Sequence, residues 1–298
     1  MSAPPGGTQT PSSARLPAWA RKASPLARGA REVRVLLREK SLHTVCEEAR
    51  CPNLGECFTR GTATFMLLGD RCTRRCAYCA VSTARPAPPD AAEPERVAEA
   101  AARMGLRYVV LTSVDRDDLP DGGAAHFAAT VRAVRRALPG AGIEVLTPDF
   151  KGDREALLAV LEAEPEVFNH NIETVARLFP RLRPQGRYRL SLDVLAAAKA
   201  MRPGQATKSG LMVGLGETDE EIGPVLADLR GVGVDIVTIG QYLRPTRDHE
   251  PVARYVTPAA FRAFEDEART VGFPKVYSGV FVRSSFHAEE VYRGGGAS

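Results

Sequence analysis

The chain is 298 residues long, 44% hydrophobic and 26% charged, with a formal net charge of +4. That length suits one large core of the α/β-barrel size class, and no run approaches the ~18 uninterrupted apolar residues of a membrane span. The excess of 40 basic over 36 acidic residues is too small to argue for a nucleic-acid partner.

Residues 1–15, MSAPPGGTQTPSSAR, hold no acidic residue and no apolar h-region of a secretory signal. They read as a disordered, weakly basic tail. A first cysteine triplet follows in LHTVCEEARCPNLGECF, spaced Cys46-x4-Cys51-x5-Cys57. Thr64–Leu68 is a short apolar run that predicts a buried strand. A loop beyond its C-terminal end carries the second triplet, Cys72-x3-Cys76-x2-Cys79.

From there, helical spacing over Glu93–Met104, Ala124–Leu138, Arg154–Glu164, Leu192–Met201, Glu220–Gly231 and Ala259–Val271 alternates with extended runs. Those runs are Arg107–Leu111, Ile143–Thr147, Val167–Phe168, Ser209–Gly214 and Asp235–Ile239. The alternation predicts βα repeats on a parallel sheet. Six strands suit an α/β fold, a partial (β/α)6 TIM-like barrel with its active site where the βα loops gather. A full eight-fold barrel would need two more strand signals.

Three chemistries compete for the six cysteines, all of which lie between Cys46 and Cys79. A disulfide framework suits small secreted domains, and this chain is long and lacks a signal. Structural zinc uses C-x2-C pairs or paired histidines, whereas His43, His126, His170, His249 and His287 form no metal-spaced cluster. Iron–sulfur ligation fits best, because thiolates are the soft ligands such clusters use. Two four-iron clusters need eight ligands, so two triplets leave one iron open in each. A cluster that only carries electrons is normally closed by a fourth cysteine. Two open clusters imply chemistry.

The second triplet, with Tyr78 directly before its last cysteine, resembles the radical S-adenosylmethionine superfamily. There the triplet holds a [4Fe-4S] cluster whose open iron chelates the cofactor's methionine. Reduction yields a 5′-deoxyadenosyl radical that abstracts hydrogen from an unactivated carbon. The first triplet adds a closer likeness, together with TSVDRDDLPDGG (Thr112–Gly123), FNHNIETV (Phe168–Val175), TKSGLMVGLGE (Thr207–Glu217) and GQYLRPT (Gly240–Thr246). From about Leu16 to His287 the chain resembles the lipoyl synthase family.

The resemblance implies that Cys46, Cys51 and Cys57 bind an auxiliary [4Fe-4S] cluster that supplies sulfur. Val282-Arg283-Ser284-Ser285-Phe286-His287-Ala288 resembles the family's terminal Arg-Ser-Ser-Tyr motif, whose second serine, here Ser285, is the implied fourth ligand. A serine oxygen is harder than a thiolate, so a soft-leaning cluster holds it less well. Its release would free one iron as the cluster gives up sulfur. Paired serines alone would read as a helix cap or turn. Two triplets and the flanking Arg283 favour the ligand.

For the cofactor, Tyr78 is a candidate contact, Ser113, in the loop after the second predicted strand, could meet the methionine amine, and Asn171 and Glu173, in a loop after a short strand, could hold ribose hydroxyls. Asn171 and Glu173 could instead begin the following helix. Arg283 could cap a carbonyl or balance cluster charge. His170 is the one histidine inside the cofactor segment. Gly214-Leu215-Gly216-Glu217 lacks the Lys-Ser/Thr of a Walker loop and the third glycine of a dinucleotide fingerprint, and reads as a tight βα turn. The chain departs from the family pattern at Phe286 for tyrosine, Phe58 for tryptophan and Ala84 for glycine. The aromatic changes keep packing surface and lose a polar handle.

The implied activity is that of a cytoplasmic sulfurtransferase, inserting two sulfur atoms at carbons 6 and 8 of an octanoyl chain. That chain is carried on a lysine of a lipoyl carrier domain, from a 2-oxo acid dehydrogenase complex or the glycine cleavage carrier protein. Two S-adenosylmethionine molecules are spent. Further implied partners are an electron donor such as flavodoxin or ferredoxin and an iron–sulfur cluster carrier, with no nucleic acid and no membrane. The expected division is residues 1–15 as tail, 16–60 as cluster-binding extension, 61–275 as barrel, and 276–298 as a segment folding back onto the extension.

Two rivals remain. An enzyme resembling biotin synthase would place auxiliary ligands after the radical triplet, and no cysteine follows Cys79. An iron–sulfur redox sensor needs no barrel.

Overall fold

The computed structural model describes residues 16–21, 28–49, 51, 53–59, 63–285 and 288. The tail at 1–15, Phe286 and His287 lie outside these.

The strands, in chain order, are β1 (His43–Thr44), β2 (Thr64–Leu67), β3 (Arg71–Cys72), β4 (Ser82–Thr83) and β5 (Tyr108–Ser113). They continue with β6 (Gly142–Leu146), β7 (Val167–Asn169), β8 (Ala206–Val213), β9 (Ile236–Gln241) and β10 (Lys275–Gly279). One sheet runs β1-β2-β5-β6-β7-β8-β9-β10, parallel throughout except for the antiparallel β1–β2 pair. No described pairing joins β10 to β1, so the barrel is partial and open. The α/β expectation holds. All six predicted strands form, at β2 and β5 to β9.

The parallel strands read as apolar runs because helices cover their outer faces. β2 is buried along its whole length. The helices that return the chain are Glu93–Arg103, Ala124–Ala137, Arg154–Leu161, Tyr188–Met201, Ile222–Gly231 and Pro258–Val271. Their ends follow from local chemistry. Asp153 caps Arg154–Leu161 by accepting from the Glu155 and Ala156 amides. Thr257 caps Pro258–Val271, proline fills the first helical position, and Gly272 ends it at φ 98°.

Within the eight-stranded sheet, two strands are additional to the expected six. Among the described residues β10 pairs only with β9, and β1 is two residues long. β1 enters the sheet through His43↔Met66 and so attaches the N-terminal extension to the barrel. Within that extension, helix Arg28–Glu39 packs against helix Leu54–Thr59. Phe58, the substituted aromatic, is 1% exposed in the core.

Candidate active site

A cavity of about 850 Å³ opens at the C-terminal ends of the strands, bordered by Thr112 and Ser113 of β5, Leu146 of β6, Met212 of β8 and Gln241 of β9. Cys46, Cys51, Cys72, Cys76, Cys79, Arg283, Ser284 and Ser285 line it together. Residues more than two hundred positions apart thus share one space.

The second triplet is built onto the loop after β5. The Arg74 and Asp115 amides donate to Cys72 Sγ at 3.4 and 3.3 Å. The Thr73 amide and hydroxyl both donate to the Asp115 carbonyl, at 3.0 and 2.9 Å. β3 and β4 clip the ends of the loop through Cys72↔Thr83, beside the Ala84 amide on the Cys72 carbonyl at 3.3 Å. From the far side, the Ala77 amide donates to Leu182 O at 2.8 Å and His249 Nε2 donates to Cys79 O at 3.0 Å.

Inside the loop, Arg74 is buried and caught between carboxylates. It meets Asp149 at 2.7 Å through two nitrogens, Asp117 at 2.7 and 2.9 Å, and Asp115 at 3.4 Å. Sequence reasoning missed this residue. The available signal was an arginine enclosed by the cysteine spacing, opposite the acid-rich stretch Asp115–Asp118.

In the first triplet, burial pushes the Cys46 thiol up to about 12, and neighbouring Cys51 and Cys57 push the same way. Both neighbours therefore lie within electrostatic reach of Cys46. Cys46 and Cys51 reach the cavity lining, whereas Cys57, on helix Leu54–Thr59, does not. Arg283 lies within the field of Cys51, although burial presses its own basicity down. Its Nη1 donates to the carbonyls of Val280 and Val282 at 3.3 and 2.6 Å, which is the carbonyl-capping role.

The cofactor candidates line the same cavity. Ser113 ends β5 rather than standing in the loop beyond it, and its buried Oγ has no protein partner. A buried hydroxyl in that state suits a polar ligand group. Asn171 and Glu173 do not start a helix. Glu173 makes an isolated parallel bridge to Leu211, with its amide on Gly210 O and its carbonyl accepting from Met212, both at 2.9 Å. Its φ of 67° is unusual for a side chain of this kind, and such strain concentrates at functional sites. Burial pushes the Glu173 carboxyl up, against the Arg183 guanidinium and the Asn171 amide, whose Nδ2 donates at 3.2 Å.

Tyr78 lines the wall, its phenol pushed up by burial and then by Glu173. Arg183 was also missed from the sequence. It is buried, reaches Asn171 O at 3.4 Å, and is the cation shared by Cys76, Glu173, Asp115 and Tyr78. Nothing local marks it, because RLRPQGR contains three arginines.

His170 is structural. Nδ1 donates to Thr147 O at 2.9 Å and Nε2 accepts from Ser191 Oγ at 3.1 Å, a neutral tautomer. Burial and then Arg183 press its pKa from 6.5 to about 4, although Asp149 opposes them. Above pH 6.5 both folded and unfolded states hold a neutral ring. Below it only the unfolded state takes the proton, so stability falls as pH falls. Denaturant titration is expected to show His170 costing about 2 kcal/mol between pH 7.5 and 5. His170→Gln should flatten that pH slope.

The Gly214–Glu217 segment is the expected turn. Gly214 and Gly216 sit at φ 99° and 112°, and the Glu217 carboxylate takes the Gly214 and Leu215 amides at 2.6 and 2.9 Å. Its own carboxylate occupies the place a phosphate would need.

The donor set suits iron–sulfur clusters. No disulfide joins any of the six cysteines. Among the described residues, no three His, Cys, Asp or Glu side chains converge on a single-ion position. A cluster takes one ligand per iron, so its cysteines stand apart at separate corners. The thiols of Cys46, Cys76 and Cys79 are raised by burial to about 12, 11 and 12, so cluster ligation by them would displace protons.

A parallel partial barrel with a three-cysteine loop beyond its first parallel strand defines a radical S-adenosylmethionine enzyme. The family model of the Radical SAM superfamily matches residues 66–229, and that of the N-terminal domain of lipoyl synthase matches residues 7–51. The lipoyl synthase of Rubrobacter xylanophilus is 58% identical over 274 residues, covering 92% of this chain and 85% of the relative. That of Methylococcus capsulatus is 58% identical over 277 residues, with coverages of 93% and 86%. The chain belongs to the lipoyl synthase family.

Its cofactors are S-adenosylmethionine and two [4Fe-4S] clusters. Among solved structures, methylornithine synthase aligns with a TM-score of 0.54 at 17% identity, over 83% of this chain and 74% of that one. A maturase of the [FeFe]-hydrogenase aligns at 0.55 and 14%, over 92% and 67%. These two likenesses concern the fold alone.

Proposed function

We propose a division of labour among the residues of this lipoyl synthase family member. Cys72, Cys76 and Cys79 hold the cluster that meets S-adenosylmethionine. Cys46, Cys51, Cys57 and Ser285 hold the auxiliary cluster. The activity is insertion of two sulfur atoms at carbons 6 and 8 of a protein-bound octanoyl chain. When bound, the cofactors supply a carbon-centred oxidant and the sulfur. The protein supplies placement.

One observation carries the reading: cysteines of both triplets and Ser285 line a single cavity, so hydrogen abstraction and sulfur delivery can address the same bound chain. Ser113, Tyr78, Asn171 and Glu173 contact S-adenosylmethionine. Arg183 balances the carboxylates and thiolates around it. The Cys72 amide contacts and the Arg74 clamp keep the radical loop rigid.

The division into an extension over 16–60, a barrel over 61–275 and a returning segment over 276–298 fits this labour, although β10 straddles the last boundary. The substrates are octanoylated carrier domains of the 2-oxo acid dehydrogenase complexes or the glycine cleavage carrier protein. Flavodoxin or ferredoxin supplies electrons, and a cluster carrier rebuilds the auxiliary centre. The setting is the cytoplasm. No described helix is long and apolar enough to cross a membrane.

The test is anaerobic incubation of the two-cluster protein with S-adenosylmethionine, dithionite and an octanoylated carrier domain, followed by mass spectrometry. The expected result is the mass gain of two sulfurs for two hydrogens, with 5′-deoxyadenosine formed. An unchanged carrier would sink the reading.

A further inference from the structure

The C-terminal segment enters the cavity in a register that the ligand set alone does not explain. Three contacts fix it. Asn53 Nδ2, from the N-terminal extension, donates to Phe281 O at 2.7 Å. At Gly240 an added Cβ would stand 2.1 Å from Val282 O, a distance only glycine avoids. At Gly210 a Cβ would stand 3.0 Å from Ser284 Oγ and 2.7 Å from Asn171 Oδ1. Gly210 pairs with Thr238 and Gly240 with Met212, so neighbouring strands β8 and β9 together form a glycine-floored slot.

Ser284 fills that slot. Its Oγ donates to Asn171 Oδ1 at 2.6 Å and accepts from Asn169 Nδ2 at 3.0 Å. Neither amide is free to follow a moving serine. Asn169 Nδ2 also donates to Glu144 Oε1 at 2.8 Å, and Lys208 Nζ lies 3.0 Å from both oxygens of that buried carboxylate. Tyr108 donates to its other oxygen at 3.2 Å. A buried ion pair adds little net stability, but its bonds hold one geometry. Asn171 is pinned by the Gly210 amide on Oδ1 at 3.0 Å and by its own donation to Glu173.

We propose that Ser284 is a positioning residue. Its hydroxyl, locked between Asn169 and Asn171 over Gly210, sets the register in which Ser285 faces the first cysteine triplet. The proposal rests on the reading of Ser285 as a ligand of the auxiliary cluster. Residues 281–285 form no strand, so side-chain bonds must set the register that a ladder would otherwise impose. The same bonds place Ser284 against Asn171, a residue of the cofactor side.

The test compares anaerobically reconstituted parent, Ser284→Ala, Ser284→Thr and Ser285→Ala. Timed trypsin digestion with mass spectrometry reads cleavage after Arg283. Mössbauer spectroscopy reads the auxiliary cluster during chelator challenge, and the shift caused by S-adenosylmethionine marks the radical cluster. Ser284→Ala loses two part-buried hydrogen bonds, so cleavage after Arg283 is expected to rise about tenfold or more. Its auxiliary cluster should be lost faster while the cofactor-dependent shift persists. Ser284→Thr keeps the hydroxyl and should restore protection.

Ser285→Ala should weaken the auxiliary cluster without exposing Arg283. Parent-like cleavage and cluster retention in Ser284→Ala would overturn the proposal. A fully stable auxiliary cluster in Ser285→Ala would overturn the ligand reading, and with it the purpose given to Ser284, while the cleavage data still report the lock.

Discussion

Replacing Cys51 with alanine is expected to abolish sulfur insertion while 5′-deoxyadenosine continues to form. The first triplet acts as a unit, since Cys51 and Cys57 both bear on the Cys46 thiol and the Cys51 amide donates to Cys46 O at 3.1 Å. Losing one ligand should drop lipoyl product by at least ~100-fold, because cluster binding depends on its full thiolate set. The radical loop takes its described bonds elsewhere, from Asp115, Leu182, Glu250 and His249. Cys76→Ala is the mirror case and should yield neither product. Both amounts are read from one quenched reaction by mass spectrometry. Sulfur insertion by Cys51→Ala at the parent rate would move the sulfur donor elsewhere.

Arg74→Ala is expected to unfold the radical loop, at a cost of about 3–5 kcal/mol. The guanidinium is 4% exposed and faces Asp149, whose side chain is 1% exposed, with Asp117 and Asp115 beside it. Removing the cation leaves buried carboxylates uncompensated. Arg74→Lys keeps the charge and loses the planar fork that meets two carboxylates at once, so its loss should be smaller.

The pH behaviour has a definite sign. Burial pushes the Asp149 carboxyl up, but the hydrogen bonds and charge of Arg74 outweigh burial and hold it well below the ordinary 3.8. The stabilisation is therefore complete above about pH 4 and fades as pH falls further. Urea midpoints measure the stability. The cofactor-dependent signal of the radical cluster, expected to vanish in Arg74→Ala while the auxiliary cluster remains, locates the damage. A parent-like midpoint would show that the clamp carries no weight.

The barrel was readable because its strands are apolar runs and its helices are amphipathic, two periodicities that local sequence displays. β10 escaped because KVYSG is only half-buried and its described pairing is on one side, with β9, so it lacks the continuous apolar run of the inner strands. Ser113 was placed one step too far along for the same kind of reason, since strand ends are set by the neighbour's length, here through Leu67↔Ser113. Arg74 and Arg183 look like ordinary surface arginines in a chain with 40 basic residues. Their importance comes from burial against carboxylates contributed by other loops.

By itself, the sequence determined the chemistry. Six cysteines confined to one window, in two triplets, favour soft-metal clusters over disulfides or zinc, because ligand type and spacing are local properties. Only the tertiary structure decided how those groups meet. It brings Cys46, Cys51 and Ser285 to the wall shared with Cys72, Cys76 and Cys79. It also seats Ser284 through two glycines, Gly240 admitting the Val282 backbone and Gly210 the Ser284 hydroxyl. Such close approaches depend on long-range packing, and no spacing along the chain encodes them.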